Sequence, residues 1–341
     1  PIADLETLKN PLEEKILPRL SEEEMQQYIV TELIEAAKVL PYNYKKGDAD
    51  FGRFTKGLCN TVLMKFYMQT KQWAKAEEYG RELMKPEYGY ELVPVFRDIF
   101  TAANEKHAET IWANNCVIGY QMNKWMPHVI PRDYSTAPYA ITKWGGVRVT
   151  WDFFHTFEEG DTRREGIIYE FMGESGVLHN EANDVPSMGV LRTGPAPLKY
   201  EIDITTTGQE SQIDWIIYRY ADVLTLLSEA IVRRGDAVTQ EAVDLLNRVR
   251  TRAGLPAYTM ASFGSPRDFL DKLLMERAHE FYAEGCRRQD IIRDGTYVEL
   301  IKKKCQILGE LTLVNENYLR IPLPQSVIDE GQGIIKQNPG Y

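Results

Sequence analysis

The residues in this chain best placed to do chemistry are three carboxylates at four-residue intervals, Glu276, Glu280 and Glu284, within LLMERAHEFYAEGCRRQD. On a helix that spacing puts all three along one face. Two close carboxylates can act as general acid and base or as the pair of a glycosidase, and three can hold a hard cation. The competing reading is an ion-pair network. Nearly every carboxylate here has a basic residue within one or two turns, among them Arg277, Arg287 and Arg288, and the neighbouring helices add Arg219 and Arg250. That pattern favours neutralised, geometry-setting charges over a reactive pair. The remaining chemistry-bearing residues are sparse. His107, His128, His155, His179 and His279 are scattered, with no HExxH and no Cys/His pairing at zinc spacing. Ser175, in GESG, lacks the glycine spacing of a nucleophile elbow, and neither a Walker A nor a GxGxxG sequence occurs. The expectation is a protein with no catalytic residue, no metal and no cofactor.

Binding residues are easier to find. Between Trp112 and Trp151 lie Tyr120, Trp125, Tyr134, Tyr139 and Trp144, interleaved with Asn123, Lys124, His128, Arg132 and Asp133. Pro127, Pro131, Pro138 and Gly145-Gly146 make this stretch a loop. Flat aromatic faces receive the C–H face of a sugar ring, and amide, carboxylate and guanidinium groups take its hydroxyls. The same rings could equally form a satellite cluster that fastens a long loop down. Trp112 sits in an apolar, strand-like pattern and belongs to the core.

These residues need a scaffold, and the rest of the chain supplies a helical one. The 341 residues are 43% hydrophobic and 26% charged, as in a folded globular chain long enough for one large domain or two ordinary ones. A formal net charge of −10 argues against a nucleic-acid partner. No run approaches the length needed to span a membrane as a helix, and PIADLETLKN has no features of a signal peptide. The four cysteines, Cys59, Cys116, Cys286 and Cys305, form no CxxC pair and are too few for a disulfide framework.

From Ser21, SEEEMQQYIVTELIEAAKVLP reads as a helix with a Ser21–Glu24 capping box, an acidic first turn and Pro41 beyond its end. GRFTKGLCNTVLMKFYMQT forms a helix ending near Thr70, and Trp73 with Ala76 opens its partner, a hairpin of tetratricopeptide type. YRYADVLTLLSEAIVRRG and EAVDLLNRVRTRAGL repeat the arrangement, with Tyr218, Ala221, Leu224, Leu227 and Ile231 facing Ala242, Leu245, Leu246 and Val249. A third helix follows in FLDKLLMERAHEFYAEGCRRQDIIRDG. Residues 1–87 and 218–341 are therefore helical parts of one mainly α scaffold, interrupted by an irregular insertion at 88–217. Within the insertion, ETIWANNCVIGY and SQIDWIIYRY are strand candidates and TWDFFHTFEEGDTRR a short helix.

Several separated stretches, in order, resemble the SusD/RagB family of outer-membrane nutrient-binding lipoproteins. PIADLETLKN resembles the segment after that family's early Gly-x-x-Pro loop. EEMQQYIVTELIEAAKVLP is similar to its I-x-x-D-L-x-x-A helix, with Glu32 where Asp is usual, and GRFTKGLCNTVLMKFYM is similar to its G-R-x-T helix. VTWDFFHTFEEGDTRR retains Phe157, Asp161 and Arg163 of a further element, and ERAHEFYAEGCRRQD looks like a fold signature. The tail YLRIPLPQSVIDEGQGIIKQNPGY resembles the family's ending, with Asp329 and Glu330 near the usual Glu and Asn. It would dock as an extended strip through Leu319, Ile321, Leu323, Ile328 and Tyr341.

The resemblance implies a tetratricopeptide-like scaffold with a loop-rich insertion and minor strands. It implies non-catalytic capture of an oligosaccharide for a SusC-like TonB-dependent transporter, on the outer face of the outer membrane. Members of the family are usually longer, so a helical part carrying a lipid-bearing cysteine is expected before Pro1. With the resemblance, Trp125, Tyr120, Trp144, Tyr134, Tyr139 and Asn123 become the expected ligand contacts. A peptide-binding helical-repeat module is the alternative from another class. A glycoside hydrolase using the Glu276/Glu280/Glu284 face is a third.

Overall fold

The computed structural model describes residues 2–3, 8–9, 16–307, 309 and 313–341. Most of PIADLETLKN lies outside the described residues. The chain divides into two units, Ala37–Arg287 and a smaller one made of Pro1–Ala36 with Arg288–Tyr341.

The long helix α1 (Glu22–Val39) begins as its sequence specifies. The Ser21 amide donates to Glu24 Oε2 at 2.8 Å and the Glu24 amide to Ser21 Oγ at 3.2 Å, so two otherwise orphaned donors are satisfied reciprocally. In the larger unit, α2 (Lys56–Gln69) is capped by Thr55 and paired with α3 (Trp73–Leu83). The segment between them and the next long helix holds β1 (Thr110–Asn114), the two-residue strands β2 (Phe171–Met172) and β3 (Leu178–His179), and β4 (Trp215–Arg219). β1 and β4 pair antiparallel, with Trp112 opposite Tyr218. Both strand candidates of the insertion are thus strands, and they pair with each other.

Directly after β4, α4 (Tyr220–Gly235) is buried at every position from Tyr220 to Val232, the mark of a central helix packed on all sides. Its buried Ser228 and Thr225 hydroxyls donate to the carbonyls of Ala242 and Ala221. Asp236, in a left-handed conformation, ends the helix, and Thr239 caps α5 (Gln240–Arg252). The two hairpins, far apart in sequence, are one array. Lys65 of α2 reaches Asp222 of α4 at 2.6 Å, Arg234 of α4 reaches Glu77 of α3 at 2.7 Å, and Arg81 of α3 reaches Glu241 of α5 at 2.6 Å.

Three expectations are corrected here. Tyr218 lies in β4 rather than on the helical face, because the chain stays extended until it has paired with β1. The third helix is two, α6 (Pro266–Glu280) and α7 (Arg287–Asp294). Between them Ala283, at φ 61, and Gly285, at φ 79, leave the right-handed helical region, so Glu284 is off the face shared by Glu276 and Glu280. The tail is fastened by polar groups rather than by a buried apolar strip: Ile321 is 71% exposed and Tyr341 48%. Gln337 accepts from the Leu323 amide and donates to its carbonyl, both at 2.9 Å, and Asn338 donates to Ile321 O at 2.8 Å. The Tyr341 hydroxyl closes onto the Asn317 and Arg320 carbonyls.

The insertion is irregular in backbone but not loosely packed. Phe96, Phe100, Phe154, Phe157, Tyr200 and Ile213 belong to one buried cluster, and Met126, Val129, Ile130, Ile141 and Leu198 form a second.

Candidate functional site

The carboxylate row is an ion-pair lattice. Glu276 accepts from Arg163 at 2.6 Å and from Arg250 at 3.1 Å. Glu280 Oε1 meets both Arg219 and Arg252. Glu284 receives Arg219 at 2.7 Å and also Lys199, while Glu109, from the start of the insertion, binds Arg219 at 2.9 Å and Arg252 at 2.7 Å. Arg219 and Arg250 were expected among these cations; Arg163, Arg252 and Lys199 come from folding alone, whereas Arg277, also expected here, pairs with Asp222 at 2.8 Å and Arg288 donates to the Tyr318 carbonyl at 2.9 Å. Burial alone would raise the Glu280 carboxyl, but Arg252, Arg219, Arg163 and Lys199 bring it down to about 2. A general acid needs the opposite displacement. Lys199 is also fully occupied, donating to the Glu280 and Tyr282 carbonyls.

Ser175 is no nucleophile either. Its hydroxyl donates to Asp133, a carboxylate held below its usual value by that bond and by His179, so no imidazole stands ready to take the proton. Among the described residues no group of three His, Cys, Asp or Glu could hold a metal ion.

The expected ligand contacts separate into frame and surface. Asn123 exchanges backbone hydrogen bonds with Ser211 at 3.0 and 2.9 Å. Its side chain donates to Ile213 O at 2.7 Å and accepts from the Trp125 amide at 3.0 Å, so its polar atoms are committed within the protein. The half-buried Trp125 ring lies 5.1 Å from Trp215, which stacks on Tyr200 at 4.8 Å, which in turn meets Phe100 at 5.1 Å. Trp125 is thus the outer end of an aromatic ladder rooted in the core.

Of the other four, Tyr120 and Tyr139 are exposed, while Trp144 and Tyr134 are partly buried like Trp125. Tyr120, on the turn Val117–Gln121, is 92% exposed, and Tyr139 is 42% exposed. Trp144 is partly buried, its ring meeting His128 edge-on at 4.7 Å and its carbonyl accepting from Arg132. Tyr134 meets Phe171 edge-on at 5.2 Å, and Lys143 binds its carbonyl. No ring contact among the described residues joins Tyr120 to the others.

Sequence reasoning missed a cleft of about 830 Å³ in the smaller unit, lined by Arg19, Met25, Arg288, Arg320, Ile334 and Lys336 among others. Its walls come from opposite ends of the chain, which no local pattern reveals. It has no aromatic ring in its lining.

This architecture has known counterparts. A SusD superfamily protein from Parabacteroides distasonis superposes with a TM-score of 0.77 at 21% identity, over 99% of this chain and 73% of that one. Surface glycan-binding protein A from Bacteroides thetaiotaomicron, solved with laminarihexaose, gives 0.74 at 23% identity over 94% and 72%. In sequence, the SusD-like proteins P38 and P2 of Formosa agariphila are 31% identical over 157 residues and 32% over 146. Those matches take in 43% and 39% of this chain but only 29% and 27% of the relatives' lengths. The SusD family model matches residues 159–341, which include the lattice residues Arg163, Arg219, Glu276 and Glu280 and the QNPGY ending, and on that match the chain belongs to the SusD family.

Proposed function

We propose that this protein captures oligosaccharide at the cell surface without breaking a bond. It would deliver the ligand to a SusC-like TonB-dependent transporter and be held on the outer face of the outer membrane by a lipid. The observation that carries this reading is the contrast between two residue sets. The carboxylates Glu276, Glu280 and Glu284 are each ion-paired with arginine or lysine, whereas the insertion exposes the aromatic side chains of Tyr120 and Tyr139 to solvent. Capture without chemistry fits both. Tyr120, Tyr139, Trp144 and Tyr134 are the proposed ligand faces, with Trp125 and Asn123 holding the loop that carries them. Family membership and the laminarihexaose bound by a structural counterpart support a glycan as the ligand class. No helix among the described residues is long and apolar enough to cross a membrane.

Isothermal titration with laminarihexaose and with a panel of unrelated oligosaccharides tests the reading. At least one is expected to bind and to emerge uncleaved. Tyr120→Ala and Trp144→Ala should each weaken that binding about 5- to 150-fold, the equivalent of about 1–3 kcal/mol for one aromatic contact. Binding unaffected by alanine at any of Tyr120, Tyr139, Trp144 and Tyr134 would move the site elsewhere.

A further inference from the structure

His179, at the end of β3, stands between two carboxylates. Its Nδ1 lies 2.9 Å from Asp184 Oδ1 and its Nε2 lies 2.9 Å from Asp133 Oδ2. A neutral imidazole donates from one nitrogen only, so both contacts are hydrogen bonds only when the ring is an imidazolium. The two carboxylates come from different segments. Asp133 belongs to the aromatic loop, and Asp184 to the short helix Glu181–Ser187. Each also holds backbone: Asp133 accepts from the Ser175 amide at 3.1 Å and Asp184 from the Leu191 amide at 3.0 Å.

Glycine admits both carboxylates. A Cβ on Gly173 would stand 1.9 Å from Asp133 Oδ2, and one on Gly189 would stand 1.9 Å from Asp184 Oδ1. The His179 ring also lies 4.9 Å from Phe171, the ring that Tyr134 meets edge-on. Burial pulls the His179 pKa down, but the hydrogen bonds to Asp184 and Asp133 outweigh it and the net displacement is upward. The surrounding charges are otherwise engaged. Glu174, whose amide donates to Asp133 O, pairs with Lys143 at 2.7 Å; Glu170 takes up Asn180; Glu181 pairs with His155 at the surface. Arg148 feels the charge of Asp184.

We propose that protonated His179 is a positioning residue for ligand capture, clamping the Asp133–Trp144 stretch to the β2–β3 hairpin and the Glu181–Ser187 helix. This rests on the reading that the aromatic loop binds ligand. The clamp is complete below about pH 6.5, the unperturbed histidine value, and is lost as pH rises through the raised value in the folded protein. Once the proton leaves, one of the two carboxylates loses its imidazole donor and keeps only its local donors, Ser175 for Asp133 or the Leu191 amide for Asp184, so the loop loses a cross-link beside Tyr134.

The test reads the ring and the loop before any ligand is added. Nitrogen-15 shifts of the His179 ring, identified by its loss in His179→Gln, are followed from pH 5 to 9, together with exchange of the Ser175 and Leu191 amides. The expected result is a doubly protonated ring at pH 6.5. After correction for intrinsic exchange, protection of at least one of the two amides should fall about tenfold as the ring titrates, the scale of one charge-assisted hydrogen bond. His179→Gln should lack that step, and Asp133→Asn, which keeps the loop's shape, should shift the ring titration downward. A ring that is singly protonated at pH 6.5, or protection that is flat with pH and unchanged in His179→Gln, overturns the clamp.

Laminarihexaose titrated over the same range separates the two ideas. Affinity that weakens above the ring pKa in wild type, with no such step in His179→Gln, supports the positioning role. Affinity flat in both, with the amide step present, overturns that role. Should none of the oligosaccharides bind, the glycan reading falls while the ring and amide data still decide the clamp.

Discussion

Two tryptophan-loop residues that look equivalent in sequence have opposite environments, and a substitution should tell them apart. Trp125 packs on both buried clusters of the insertion and ends the ladder through Trp215 and Tyr200. Trp125→Ala should cost about 2–4 kcal/mol in denaturant unfolding, somewhat below the range for a fully buried tryptophan. Tyr120→Ala removes a side chain that is 92% exposed and should change stability by less than about 0.5 kcal/mol. Equal losses for the two would contradict the division into frame and surface. The composition of this loop was legible from its prolines, glycines and aromatics. Which aromatic turns inward was not, because that depends on Trp215, 90 positions further along the chain.

At the scale of elements, α6 shows what periodicity can and cannot tell. The spacing of Glu276 and Glu280, and their neutralisation by arginine, are visible in the sequence. The break after Glu280, which sends Glu284 to Lys199 and Arg219, depends on the conformation of a short connector. The helix also has a pH signature. His279, buried and stacked at 4.1 Å on Phe157, is pushed down to about 3 by burial and by Arg163, Arg287 and Arg250, against an ordinary value of 6.5. The folded state therefore binds fewer protons than the unfolded chain between those values. Its contribution is present above 6.5 and lost as pH falls toward 3. Glu280, at about 2 against 4.5, adds a second loss that begins below 4.5. Calorimetric melts should show Tm declining from pH 6.5 downward, with a steeper fall below 4.5. His279→Gln should flatten the upper part of that decline and leave the lower part. Glu280→Gln should cost about 3–5 kcal/mol, because it leaves Arg219 and Arg252 buried with one fewer counter-charge. A melt profile independent of pH in both variants and wild type would mean that the lattice does not bear on stability.

Across the whole molecule, burial is distributed very unevenly between helices of similar length. α4 has every residue from Tyr220 to Val232 buried, whereas the 18-residue α1 has no buried residue, although its apolar positions follow a regular helical period. Both helices were legible from that period, but how strongly each is held was not, since periodicity gives the direction of an apolar face and not what covers it. Helix propensity alone leaves an isolated stretch of this length marginal. The capping box adds only about 1 kcal/mol at one end. Local opening free energy follows buried contact, so the two helices should exchange their amides on different scales. Hydrogen exchange followed by mass spectrometry is expected to show peptides from 220–232 protected close to the global unfolding limit. Peptides from 22–36 should exchange at least a hundredfold faster, equivalent to about 2.7 kcal/mol less opening free energy. If α1 proves as protected as α4, its apolar face is covered in solution.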